Sequence, residues 1–86
     1  MKKLSPAKKL ASTSINLGSD QGQIEKLLLP GNDQEQIRLS HWRDGKMLSL
    51  PLTLSEQELV DLLHSAIQEG VLSRKFIAEL HSIIEI

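Results

Sequence analysis

The sequence predicts an α+β fold, with a small antiparallel β-hairpin or three-stranded sheet followed by an αα-hairpin packed on one face. Three observations carry this expectation. Asp44-Gly45 stands between two runs of alternating apolar residues, and an Asp-Gly pair so placed is the strongest short-range signal for a tight hairpin. Ser55 and Glu58 have capping-box spacing ahead of a helical apolar stripe. Gly70 and Ser73 then close that helix and open a second one.

Taken in chain order, residues 1–22 read as a basic, disordered tail, and 23–86 as a single domain. The first segment holds Lys2, Lys3, Lys8 and Lys9 with no acid before Asp20, and it has few apolar residues to offset the entropy of ordering. Its lysines could help hold a polyanion. Residues 23–29 fit two descriptions. A helix would be capped by Asp20 and Gln23, whereas a strand would turn at Pro30-Gly31 and pair with residues from Ile37 onward. An isolated two-stranded hairpin is scarcely stable, so the strand is preferred.

Counting outward from Asp44-Gly45 pairs Arg43 with Lys46, Trp42 with Met47, His41 with Leu48, Leu39 with Leu50 and Ile37 with Leu52. Opposed residues share a face of the sheet. One face therefore collects Ile37, Leu39, Leu48, Leu50 and Leu52 as core, and the other collects Arg38, Ser40, Trp42, Met47, Ser49 and Pro51. Pro51 has no amide hydrogen, which places it at an edge or where pairing ends.

Leu54 and Leu59 form a hydrophobic staple around Ser55, and Leu59, Leu62, Leu63, Ala66 and Ile67 recur at helical spacing. Ser73 caps the second helix, whose stripe is Phe76, Ile77, Leu80, Ile83 and Ile84. The domain is small and has no cysteine to staple it, so a homodimer through Phe76, Leu80, Ile83, Ile84 and Ile86 is expected.

The net charge of −1 conceals an asymmetry. Residues 1–46 carry eight Lys/Arg against five Asp/Glu, and residues 47–86 carry two against six. No run approaches the roughly 20 apolar residues of a membrane span. Nor does an apolar region follow the first lysines as a signal peptide requires, so the expectation is a cytoplasmic protein with no membrane partner.

Chemistry is sparse. His41, His64 and His81 fit no metal-ligand spacing, and no metal or cofactor is expected. There is no cysteine, nucleophile elbow or glycine-rich phosphate loop after a strand, and the expectation is a protein that is not an enzyme. A helix-turn-helix would place its second helix at Ser73, but that helix offers cations only at Arg74 and Lys75 and is otherwise apolar. What remains is the hairpin. Trp42, one of two aromatic residues, stands next to Met47 among Arg38, His41, Arg43 and Lys46. Such a set suits a single strand of nucleic acid, with cations on phosphates and a base on the indole. It equally suits a protein interface, where Trp, Met and Arg are enriched.

Ile37-Arg38, Trp42-Arg43, Gly45-Lys46 and Leu52-Thr53-Leu54 before a helix resemble a fragment of the single-stranded-DNA-binding transcriptional coactivator family. The likeness covers about 25 residues. It implies a basic curved sheet, with Arg38, Trp42, Arg43 and Lys46 as the matching DNA contacts. The chain departs from that family in having two helices after one clear hairpin, where the family has more strands and one helix. The functional expectation is a small regulatory or binding module whose partner is nucleic acid or a larger protein.

Overall fold

The computed structural model describes residues 7–31 and 34–84. The chain divides into two compact units, residues 1–56 and 57–86. The first is an antiparallel sheet of five strands: β1 (Lys8–Leu17), β2 (Asp20–Leu28), β3 (Glu35–Arg43), β4 (Lys46–Met47) and β5 (Leu52–Leu54). The strands run in the order β1-β2-β3, and β4 and β5 share the far side of β3. Two helices follow, α1 (Glu56–Gln68) and α2 (Arg74–Ile84). The antiparallel sheet followed by helices is the expected α+β class.

The turns follow from residue type. Asp44 (φ 51°) and Gly45 (φ 77°) both adopt left-handed backbone, the conformation of a type I′ turn, whose twist matches that of the flanking strands. The pairs Arg43↔Lys46 and Trp42↔Met47 are those counted from the sequence. The β1–β2 connection has Gly18 (φ 68°) as its first central residue, as a type II′ turn requires. Residues 23–28 are strand, and the Leu29 amide donates to the Gln34 carbonyl (2.9 Å) to close the connection to β3.

Two expectations are corrected. Residues 8–22, taken as part of a disordered tail, form β1 and the start of β2; Lys2 and Lys3 lie outside the described residues. The alternation of Ala11, Thr13, Ile15 and Leu17 against Ser12, Ser14 and Asn16 gives the segment a strand's period of two, and pairing along β2 satisfies its backbone. The second correction concerns register. After Leu48, whose amide donates to the His41 carbonyl (2.9 Å), residues 49–51 leave the ladder. Pairing resumes two residues late as Leu39↔Leu52, Arg38↔Thr53 and Ile37↔Leu54. Pro51 cannot donate to β3, and an even shift preserves the faces. The expected core residues Leu48 and Leu52 are nonetheless exposed, and Leu50, off the ladder, is 96 % exposed. Leu27, Ile37 and Leu54 are the buried apolar residues.

Both helices start, and α1 stops, where the sequence places them. The Phe76 amide donates to Ser73 Oγ (3.0 Å). Gly70 (φ 74°) ends α1 with Val71 N–H on the Ala66 carbonyl and Gly70 N–H on the Ile67 carbonyl, the paired bonds of a Schellman motif. Neither helix has a buried residue; Phe76, Ile83 and Ile84 of the expected dimer stripe are exposed, Leu80 is half-buried, and Ile86 lies outside the described residues.

Candidate nucleic-acid interface

The register gives the sheet two unlike faces. On one lie Thr13, Ile15, Ile24, Ile37, Leu39 and Leu52; on the other Ser12, Ser14, Gln21, Gln23, Glu25, Arg38, Ser40, Trp42 and Met47. Strand alternation alone produces this division, since Gly22 and Ile24 alternate with Gln21, Gln23 and Glu25 along β2.

The polar face is built around one carboxylate. Glu25 is only 2 % exposed, and both Nε (2.7 Å) and Nη2 of Arg38 donate to its Oε1. Lys9 Nζ lies 3.7 Å from its Oε2. A β-bulge brings Lys9 there. Lys9 pairs with Leu27 but Ala11 with Lys26, so Leu10 is the extra residue and Lys9 turns onto the Glu25 face. Without the bulge, alternation would put Lys9 on the apolar side. Toward the hairpin tip, Trp42 Nε1 donates to Ser40 Oγ (2.8 Å), which holds the indole along its own strand. Lys9, Gln21, Gln23, Glu25, Arg38 and Trp42 line one shallow groove. Its one acid is buried and doubly compensated.

A second carboxylate sits at the tip on the other face. Asp20 accepts from Arg43 Nε (2.7 Å) and Nη2 (2.9 Å), a bidentate pair, and lies 2.8 Å from His41 Nε2. The Arg43 guanidinium, and then His41, hold the Asp20 carboxyl at about 2, below the ordinary 3.8, against an opposing effect of burial. Asp20 in turn raises the pKa of Arg43.

The six residues expected to form one cluster are therefore divided. Arg38, Trp42 and Met47 share the polar face, whereas His41, Arg43 and Lys46 belong to the opposite side. His41 and Arg43 are committed to Asp20. Sequence reasoning named Lys9 only as one of the tail lysines, and it missed Gln21, Gln23 and both carboxylates. The strand reading of residues 23–29 could have placed Gln23 and Glu25 on the face of Arg38 and Ser40, but counting through a Pro30-Gly31 turn sets Glu25 opposite Gln36, two residues from the observed pairing with Arg38. The bulge that brings Lys9 has no sequence signal that we recognise. Among the described residues no cluster of three His, Asp or Glu side chains could hold a metal, and no helix is long and apolar enough to cross a membrane. Compared with known protein families, curated proteins and solved structures, the chain matches none of them.

Proposed function

We propose that this chain is a non-enzymatic module that binds single-stranded nucleic acid across the polar face of its sheet. The observation that carries the reading is the pairing on that face of one stackable aromatic with two cations and, among the described residues, no exposed carboxylate. Glu25 takes two donors of Arg38, and a guanidinium has five. The remaining N–H groups and the half-exposed Lys9 ammonium are free to meet phosphates. Gln21, Gln23 and Ser40 supply neutral hydrogen-bonding groups beside Trp42, on which a base can stack. A duplex keeps its bases stacked inside, so a single strand fits this platform better.

The test is a titration of Trp42 fluorescence with single-stranded and double-stranded oligonucleotides at low and moderate salt. Quenching by single strands that weakens steeply with salt is expected, since each phosphate contact releases counterions. Trp42→Ala should weaken binding by about 1–3 kcal/mol, the contribution of one stacked base. Absence of any response at low salt would sink the reading. The second reading, a protein interface centred on Trp42, Met47 and Arg38, draws on the commitment of Arg43 and Arg38 to acids. Salt-insensitive binding of a protein, with no oligonucleotide response, would favour it.

A further inference from the structure

The two edges of the sheet are treated differently. On the far side of β3 the edge is made of β4 and β5, only two and three residues long and separated by residues 48–51 with Pro51 among them. Short strands, an interruption and a proline are the usual means of blunting an edge. β1 is the opposite: ten residues, all exposed, paired among the described residues with β2 alone. Its lysines and its bulge lie at the N-terminal end, and the run 11–17 (Ala-Ser-Thr-Ser-Ile-Asn-Leu) has no charge, proline or glycine. Such an edge is a template for strand addition.

We propose that β1 is the self-association edge of this protein, and that two copies join β1 to β1 antiparallel about a two-fold axis at Ser14. Three features fit that register, and among the registers that keep the faces it alone overlaps the whole of the run 11–17. First, Leu17 and Asp20 flank the two-residue turn and so exchange backbone hydrogen bonds. By alternation the amides and carbonyls of Ile15 and Thr13 also point to β2, while those of Asn16, Ser14 and Ser12 point outward. Pairing about Ser14 sets Ser14 against Ser14 and Ser12 against Asn16, so the outward groups of one copy meet those of the other. Second, this register sets Thr13 against Ile15 and Ala11 against Leu17, on the apolar face. Ile15 and Leu17 are both exposed in a single copy. A slip by one residue would oppose apolar to polar side chains. Third, Lys8 and Lys9 fall beyond the other copy's uncharged run and meet no like charge there.

A second copy also gives the exposed Ile15 and Leu17 cross-strand neighbours at the seam. Among the described residues, three buried apolar side chains against exposed Ile15, Leu17, Ile24 and Leu52 leave the sheet little interior of its own. A joined sheet continues the apolar face across both copies. The blunted β4–β5 edge stops growth at two, giving the isologous contact of a closed dimer. This inference is independent of what the polar face binds.

Sedimentation velocity on the full chain tests it, with far-UV circular dichroism as the control for folding. The wild type should sediment at twice 9.6 kDa. Ser14→Pro removes an amide hydrogen that β2 does not use, and Ser14→Lys places two ammonium groups face to face at the axis. Each should lose the dimer with its circular dichroism unchanged. An equimolar mixture of the Ser14→Lys and Ser14→Asp chains should recover it as a heterodimer. A monomeric wild type at millimolar concentration overturns the proposal. So does a dimer that survives Ser14→Lys or is instead abolished by Ile83→Glu, which would move the contact to α2.

Discussion

The two faces of the sheet each carry a carboxylate held by an arginine, and they hold it for different ends. On the polar face Glu25 is almost wholly covered and lies mid-strand, between Arg38 and Lys9. On the apolar side Asp20 sits at the hairpin tip, where Arg43 and His41 remain exposed. Both acids are covered, but Arg43 is the more exposed arginine (56 % against 27 % for Arg38), so solvent screens the Asp20 pair more. The first clamp therefore fixes the register of β1, β2 and β3 while keeping the platform cationic. The second pins two turns together where the sheet ends.

The largest expected effect follows from that asymmetry. Arg38→Ala leaves Glu25 with Lys9 alone and should cost about 3 kcal/mol in urea unfolding. Arg43→Ala at the rim should cost clearly less; equal losses would break the distinction between the clamps. On the apolar face, Ile37→Ala should cost about 2 kcal/mol by the same measurement, the low end for such a truncation because so little surrounds the site. Leu50→Ser, at a position that simple alternation assigns to the core, should change stability by less than about 0.5 kcal/mol. A large loss there would restore the unshifted register.

The Asp20 clamp is best separated by acid. Its folded pKa of about 2 lies below the ordinary 3.8, so its stabilisation is complete above the ordinary value and is lost as pH falls through the folded one. Thermal unfolding followed between pH 5 and 2 should show a decline that Asp20→Asn makes shallower, starting from a lower melting temperature at neutral pH. A parallel decline in both chains would mean that Asp20 titrates normally.

How much of this was readable depends on range. Asp44-Gly45 and Ser73 act through their own backbone neighbours, so the turn and the helix start could be placed from a few residues. The division of faces followed from the turn by counting, and Arg38, Trp42 and Met47 stand where counting put them. The register beyond Leu48 did not, because a two-residue excursion leaves the alternation of apolar residues intact and only Pro51 hinted at it. β1 was obscured by composition: Ser, Thr and Asn between Ala11 and Leu17 look like a linker until a partner strand is supplied. The ion pairs bridge strands 13 to 23 residues apart, which no local pattern records.

The polar face as the binding surface can be tested most directly by nuclear magnetic resonance mapping of the chain with a single-stranded oligonucleotide. The account expects the Trp42 indole N–H and the Gln21 and Gln23 side-chain amides to shift together, with the methyls of Ile24 and Leu39 on the opposite face unmoved. Shifts confined to those methyls, or to the helices, would contradict it.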